Sequence, residues 1–214
     1  TDQCIGFFCS ADITDKENCL KIVAGYNNYD GSKWALQPVS KQAKAYEKAH
    51  PGETVVAAMN GDFYNMQTGQ PMGALVMGGK VINGINSRNF FAVMKDGCAV
   101  ICDGSGKVIS EGEHNGATID LSENVMEAVG GDKISVLDGK LIDMSSDEYG
   151  ALKYARAAIG IKADGSIVTY VTRGKNLPIS HGETYNEVSN KLIKAGCTTV
   201  LQLDGGGSAT FDSK

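Results

Sequence analysis

The sequence predicts an α+β domain, in which antiparallel or mixed β-sheets are built from hairpins and only a few helices occur. Three observations lead to this prediction. Glycine accounts for 27 of the 214 residues, well above the ~7% that is typical. Short apolar runs repeatedly flank turns that contain glycine. One long amphipathic segment is followed by an apolar run and a glycine-rich turn, so we expect a long helix that feeds a strand into this turn.

Four segments carry the pattern of a β-hairpin. In each, two apolar runs flank an Asp-Gly or Gly-Gly pair, and both residues of such a pair tolerate the positive φ angles of a tight hairpin turn. The segments are 74–82, 90–101, 134–142 and 159–171. The middle of the chain is therefore predicted to fold as successive antiparallel hairpins.

Three segments are predicted to be helical, namely 40–50, 122–129 and 184–195. The first begins with a serine cap and stops at a Pro-Gly pair. The third has an apolar face and a glycine stop at Gly196. A strand over 198–203 is expected to follow it.

The composition excludes several classes of protein. Hydrophobic residues make up 42% and charged residues 21% of the chain, which is typical of a folded domain and not of a disordered one. The formal net charge of -5 argues against nucleic-acid binding, because such proteins normally carry a basic face. No uninterrupted apolar run approaches the ~18 residues of a membrane-spanning helix. We expect residues 1–214 to form a single domain.

The cysteines indicate whether the domain holds zinc or disulfides, and the chain ends indicate how the polypeptide is processed. The six cysteines contain no Cys-x-x-Cys pair, which argues against a zinc knuckle. Their even number is compatible with the set of disulfides found in a secreted protein. The alternative is that the cysteines are buried as free thiols. We expect a disulfide from Cys4, Cys9 or Cys19 to the body of the domain. The chain starts at Thr1 and stops at Lys214, and we expect both ends to be trimmed from a longer polypeptide.

The strongest chemical signal lies where the last predicted strand ends, at Asp204, Gly205, Gly206, Gly207 and Ser208. Three glycines leave their backbone N–H groups unhindered, so that they can form an anion-binding nest. A carboxylate at a strand end is a usual place for a catalytic group. The alternative is a tight turn with an exposed aspartate.

Three further segments are candidates. The first follows a predicted strand and combines amide, carboxylate and aromatic groups, as sugar-binding sites do; its residues are Asn60, Asp62, Phe63 and Tyr64. Arg156 precedes an apolar run, where its planar fork could clamp a phosphate, or where it could be a solvated strand end. Thr184 and Glu187 fit a helix capping box, and His181 lies just before it.

Taken in order, these motifs resemble the phosphodiester glycosidase family over residues 54–211. The motifs are Asn-x-x-Phe/Tyr after a strand, Arg-x-Ala-Ile-Gly, Gly-x-Thr before a helix, and Leu-Asp-Gly-Gly-Gly-Ser-Ala-Thr-Phe. The resemblance implies hydrolysis of the glycosidic bond of a sugar-1-phosphodiester, which frees the sugar and leaves a phosphomonoester. It also implies a location outside the cytoplasm, either extracellular or at the cell surface, as for the many secreted bacterial members.

The resemblance implies roles for the matching residues. Asp204 is expected to act as base or nucleophile, or Glu187 if its side chain points out of the helix cap. A phosphate leaves readily because the second pKa of a phosphomonoester is ~6, so cations and backbone donors matter more than a general acid. Arg156 is therefore expected to hold the phosphate with the amides of 205–207. From the chemistry of the reaction, Arg173 or Lys175 is expected as a second cation for the phosphate, and Asn60, Asp62 and Tyr64 are expected to hold sugar hydroxyls. Phe63, His181 and Ser208 are further expected substrate contacts.

Two departures from the family pattern leave alternatives open. Arg173-Gly174-Lys175 stands where the family usually has Asp-Gly-Arg, and the chain stops before the family's C-terminal segment. A second polypeptide that supplies this segment is one expectation. A non-catalytic cell-surface module that binds phosphorylated glycans is the alternative function. No cofactor is expected to be required, although Asp62 and Asp204 leave open a structural calcium ion or a metal-dependent hydrolase.

Overall fold

The computed structural model describes residues 4–11, 21–25, 33–176 and 180–213. The elements up to residue 124 are β1 (Gly6–Ala11), α1 (Val39–Ala49), β2 (Ala57–Met59), β3 (Leu75–Met77), β4 (Lys80–Asn83), β5 (Phe90–Met94), β6 (Ala99–Cys102) and α2 (Leu121–Asn124). The elements that follow are β7 (Val125–Gly130), β8 (Ile134–Leu137), β9 (Lys140–Leu141), β10 (Arg156–Lys162), β11 (Ile167–Thr172), β12 (Lys175–Asn176), β13 (Ser180–His181), α3 (Tyr185–Lys194), β14 (Cys197–Gln202) and β15 (Phe211–Ser213).

Two antiparallel sheets make up most of the fold. The first has six strands in the order β1-β11-β10-β14-β8-β9, and the second has five in the order β4-β3-β7-β5-β6. Two smaller pairs join β12 to β13 and β15 to β2. The predicted α+β class is confirmed, and so are the four hairpins, which form β3–β4, β5–β6, β8–β9 and β10–β11.

The strand order also depends on strands that are distant in the sequence. β7 lies between β3 and β5, and β14 lies between β10 and β8. The predicted helix over 122–129 is wrong beyond Asn124, because Val125–Gly130 forms the central strand β7. Asp120 caps the short helix α2, since its carboxylate accepts the N–H groups of Ser122 and Glu123. Pairing with two neighbouring strands then outweighs local helix propensity.

The packed faces stack as layers. Phe91 and Ile101 of the five-stranded sheet pack against Ile159 and Leu201 of the six-stranded sheet. This contact forms the hydrophobic core between the two sheets. Helix α3 covers the other face of the six-stranded sheet. The loop between β6 and α2 closes the outer face of the five-stranded sheet with Val108 and Ile119. Each sheet therefore buries both of its faces.

The predicted helix over 184–195 is confirmed, with its capping box. The Thr184 side chain accepts the N–H of Glu187 at 3.2 Å, and Glu187 Oε2 accepts the N–H of Thr184 at 2.8 Å. β14 begins at Cys197, two residues after the C-cap Ala195, and runs through the centre of the six-stranded sheet into the glycine turn. The cap therefore sets where the helix starts and helps to place the strand that follows.

Cysteine pairing differs from the expectation. Among the described residues, no disulfide forms at Cys4, Cys9, Cys98, Cys102 or Cys197. The expected disulfide from Cys4 or Cys9 to the body of the domain is therefore wrong, and Cys19 lies outside the described residues. Cys102 and Cys197 are buried in apolar surroundings, which raise their thiol pKa values to about 12 and about 11. No helix in the described ranges is both long enough and apolar enough to span a bilayer.

Thr184→Ala should lower the free energy of unfolding by about 1 kcal/mol, because it removes the acceptor for the Glu187 N–H. Thr184→Ser keeps that acceptor and serves as the control, so its free energy of unfolding should stay close to that of the wild type. Urea denaturation followed by circular dichroism measures both. Equal stability of the alanine variant and the wild type would contradict a stabilising role for the cap.

Candidate active site

A cavity of about 570 Å³ opens among loops that belong to both sheets and to the β2–β15 pair. Its lining includes Phe63, Arg88, Asp132, Lys133, Asp147 and Tyr149. These residues come from four different connections: after β2, before β5, between β7 and β8, and between β9 and β10. The cavity is therefore assembled from segments far apart in the sequence, at one end of the packed sheets.

Arg88 is the cation that the structure holds most firmly at this cavity. Its Nη2 donates to Asp62 Oδ1 at 2.9 Å, and its guanidinium lies 5.3 Å from the centre of the Phe63 ring. The Asp62 side chain is only 1% exposed. Burial raises the pKa of Asp62, although Arg88 and the N–H of Gly73 favour the charged form. Arg88 Nε is buried without a hydrogen-bond partner among the described residues.

Two glycines make room for the Asp62 carboxylate. The N–H of Gly73 donates to Asp62 Oδ2, and a Cβ on Gly73 would lie 2.8 Å from the same oxygen. A Cβ on Gly130 would collide with it too. Because no side chain fits at either position, Asp62 lies against bare backbone at the end of β7. Asp62 therefore positions Arg88 and does not line the cavity itself.

Asp204 lies beside the cavity lining. Asn60 Nδ2 donates to the Asp204 carbonyl at 2.7 Å, and the Asp204 N–H donates to Gly61 O at 3.0 Å. Its carboxylate accepts the N–H of Gly205 at 2.8 Å. Asp204 is 7% exposed, and burial raises its pKa although Ser208, Gly205 and Arg88 stabilise the charged form.

The second carboxylate at this site is Asp132. It lines the cavity, and its Oδ2 accepts the hydroxyl of Tyr185 at 2.8 Å. Burial is the main cause of the raised pKa of Tyr149, and the charges of Asp204 and Asp132 add to it; the charge of Asp132 also adds to the effect of burial on Asp204. Arg88, Asp132 and Asp204 thus lie together at this part of the site, while Lys133, Asp147 and Glu148 line the rest of the cavity.

The expected nest of three glycine amides does not form. The Gly205 N–H donates to Asp204 Oδ1, and the Gly206 N–H donates to the Ala155 carbonyl at 2.8 Å. Gly206–Ser208 forms a short 3-10 helix. The glycine at 205 is required for a different reason, since a Cβ there would lie 2.6 Å from Ala155 O and 2.9 Å from the Tyr149 hydroxyl.

Arg156 does not face the cavity as expected. It is fully buried, and its guanidinium donates to the carbonyls of Tyr149, Leu152 and Glu183 at 2.6, 2.5 and 2.9 Å. The rings of Tyr149 and Tyr185 lie 4.3 and 4.4 Å from its Cζ. Burial lowers its pKa, and the neighbouring tyrosines oppose this effect. Arg156 therefore holds the loop that carries Tyr149. Its Nη1 is buried without a hydrogen-bond partner among the described residues, and a direct contact with phosphate stays a prediction.

The remaining predicted residues lie outside the cavity lining. Glu187 is retained in the helix cap and pairs with Lys153 at 3.1 Å; partial burial opposes these contacts, which lower its pKa. Arg173, Lys175 and His181 belong to the region of the β12–β13 pair, where Arg173 lies 5.9 Å from the Phe7 ring. Tyr64 forms a β-bridge with Pro71.

Three residues of the site were not expected from the sequence: Arg88, Asp132 and Tyr149. None of them belongs to a motif. Asp132 follows the Gly130-Gly131 pair, which predicts only the end of an element. Among the described residues, no set of three His, Cys, Asp or Glu side chains meets at Asp62 and Asp204, so a structural calcium ion there stays a prediction.

Arg156→Ala should destabilise the fold by about 3 kcal/mol or more, because three carbonyls lose their donors and a buried side chain is removed. Arg156→Lys should recover part of this loss, since one ammonium group cannot reach three carbonyls in fork geometry. Chemical denaturation of both variants provides the measurement. An alanine variant as stable as the wild type would show that these hydrogen bonds do not hold the loop.

Comparison with known proteins places the chain in a family. Residues 53–213 match the model of the phosphodiester glycosidase family. Over 181 residues, the chain is 26% identical to N-acetylglucosamine-1-phosphodiester alpha-N-acetylglucosaminidase from Bos taurus; the match covers 80% of this chain and 33% of the relative. The chain thus spans about a third of the length of that curated relative.

Solved structures share the fold. The zebrafish N-acetylglucosamine-1-phosphodiester alpha-N-acetylglucosaminidase catalytic domain, auto-inhibited by its pro-peptide, matches with a TM-score of 0.65 and 17% identity, over 100% of this chain and 74% of that one. A putative exported protein from Burkholderia pseudomallei matches with a TM-score of 0.59 and 12% identity, over 97% and 66%. The prediction from the sequence motifs is confirmed at the level of the family. This chain belongs to the phosphodiester glycosidase family.

Proposed function

We propose that this chain hydrolyses the glycosidic bond of a sugar-1-phosphodiester, releasing the sugar and a phosphomonoester. The observation that carries the proposal is the placement of Arg88 and Asp132 at the lining of one cavity, close enough to the buried Asp204 for both charges to act on its carboxylate. This reaction develops positive charge on the sugar ring and negative charge on the departing phosphate. A cation beside two carboxylates complements both changes.

Arg88 is the proposed phosphate ligand. Asp62 occupies one of its nitrogens and fixes the plane of the guanidinium, so the remaining donors are oriented before the substrate binds. Lys133 lies at the same lining, 3.6 Å from Asp147, and supplies a second positive charge. In this proposal, Arg88 and Lys133 supply the positive charge for the phosphate that the sequence led us to expect from Arg156, Arg173 and Lys175.

Asp204 is the proposed base. When the bond between the anomeric carbon and the phosphate oxygen breaks, its electron pair goes to the phosphate, which needs little protonation. A water molecule then attacks the anomeric carbon, and its proton passes to the Asp204 carboxylate. Asp132 stabilises the positive sugar ring, while Phe63 and Tyr149 offer aromatic faces and one hydroxyl for the sugar.

We also propose that the protein acts outside the cytoplasm, as the motifs imply. The Burkholderia structure that shares the fold is a putative exported protein. Fractionation of the native cells, with an antibody against this domain, tests the proposal. Signal confined to the cytoplasmic fraction would contradict it.

Asp204→Asn should lower kcat by at least roughly a hundredfold, because Asn keeps the shape and the acceptor oxygen but removes the basic charge. The substrate is the p-nitrophenyl phosphodiester of N-acetylglucosamine, chosen because the bovine relative is named for that sugar. Free sugar and phosphomonoester are both measured. Asp103→Asn is the control, since Asp103 likewise accepts a backbone N–H in a turn.

The same assay, applied to the wild type and to Asp204→Asn, distinguishes the proposed function from its alternatives. A near wild-type rate for Asp204→Asn would overturn the assignment of the base. Binding of the diester without turnover, by the wild type, would favour the non-catalytic glycan-binding module. Activity that appears only after the family's C-terminal segment is added would favour a site completed by a second polypeptide.

The apparent pKa of the acidic limb of the kcat/KM profile should lie above the ordinary aspartate value of about 3.9, because burial raises the pKa of Asp204. The ionised form is active, so activity falls as the pH drops through this raised pKa. A folded-state pKa above the unfolded value means that ionised Asp204 destabilises the fold at neutral pH. Asp204→Asn should therefore unfold at a temperature no lower than the wild type at pH 7.

Chelation should leave the catalytic rate unchanged at temperatures well below unfolding, because the proposed steps use side chains alone. Turnover is measured after treatment with EDTA and again after addition of calcium. A loss of activity that calcium restores would contradict the proposal and favour a metal-dependent hydrolase.

A further inference from the structure

A second cluster of reactive side chains lies outside the cavity, where the β5–β6 turn meets the loop between β6 and α2. It consists of Asp96, Cys98 and His114, whose ligand atoms all lie within 4.8 Å of one another. Within the described part of the chain, this is the one place where three side chains of this kind meet. Asp96 belongs to the Asp-Gly pair of the predicted hairpin over 90–101. None of the three residues lines the cavity.

We propose that Asp96, Cys98 and His114 bind a divalent transition-metal ion, zinc by preference. A thiolate, an imidazole and a carboxylate together suit zinc and similar ions, whereas calcium and magnesium prefer oxygen ligands alone. Ligand atoms around a tetrahedral zinc ion lie roughly 3.5 Å apart. Small side-chain rotations would therefore close the cluster around the ion.

The geometry of the cluster is already set by other contacts. Asp96 Oδ1 accepts the N–H of Cys98 at 2.9 Å, which leaves Oδ2 facing His114 Nε2 at 2.7 Å. Such fixing of a carboxylate by a backbone donor is common behind metal ligands. The turn is closed by the bond from Met94 N to Cys98 O at 2.8 Å, and the loop by the bond from Ala117 N to His114 O at 3.0 Å.

The site would be open on one side. The side chains of Asp96 and His114 are 48% and 24% exposed, and Cys98 is half-buried. Three protein ligands leave the fourth position of a tetrahedral ion to water. On binding, the ion replaces the hydrogen bond between Asp96 and His114, and the Cys98 thiol releases its proton to solvent. The ion would tie the hairpin turn to the loop that covers the outer face of the five-stranded sheet.

An ion pair between Asp96 and His114 would need no metal and no thiol, so Cys98 is the residue that distinguishes the two explanations. The test titrates the reduced, metal-free chain with Co²⁺ and then with Zn²⁺. We expect one equivalent of Co²⁺ to produce a thiolate-to-cobalt absorption band, which one equivalent of Zn²⁺ removes. Zn²⁺ should also raise the melting temperature, because it binds only the folded site.

Cys98→Ser should abolish the absorption band, and His114→Ala should weaken binding at least tenfold. Asp96→Asn keeps the acceptor for the Cys98 N–H, so it tests the ligand without disturbing the turn. Cys9→Ser is the matched control, and its band should equal that of the wild type. A band that persists in Cys98→Ser, or a melting temperature that Zn²⁺ leaves unchanged in the wild type, would overturn the proposal.

Discussion

The buried ion pair between Asp62 and Arg88 is the contact on which the proposed site depends. A buried carboxylate is costly unless it is paired and hydrogen-bonded, and here Arg88 and the Gly73 N–H provide both. The same segment also reaches the other sheet, because Gly61 O accepts the Asp204 N–H. One short connection after β2 thus sets the position of the cation and of the proposed base.

Arg88 and Arg156, the two arginines at this end of the fold, have different roles. Arg88 lines the cavity, whereas Arg156 donates from Nε and Nη2 to three carbonyls beside tyrosine rings, and its Nη1 is buried without a partner among the described residues. Both precede or open an apolar strand, so the sequence around them is similar in kind. Their roles differ because the partners come from other parts of the chain.

Local signals predicted much of the fold. Asp-Gly and Gly-Gly turns identified four hairpins, and the Thr184–Glu187 spacing identified the start of α3. β7 was missed because its strand state depends on pairing with β3 and β5. The site was predicted only at Asp62, Phe63 and Asp204 and their neighbours. Arg88, Asp132 and Tyr149 carry no local signal, since long-range packing alone brings them to the cavity.

In the proposed mechanism, Asp62, whose side chain is almost fully buried, holds Arg88 towards the phosphate. Titration calorimetry of Asp62→Asn with a non-hydrolysable sugar-1-phosphonate diester, and with the neutral sugar, tests this role most directly. We expect the phosphonate to bind at least tenfold more weakly to the folded variant than to the wild type, while the affinity for the neutral sugar is unchanged. Equal affinity for the phosphonate, or an equal loss for both ligands, would contradict it.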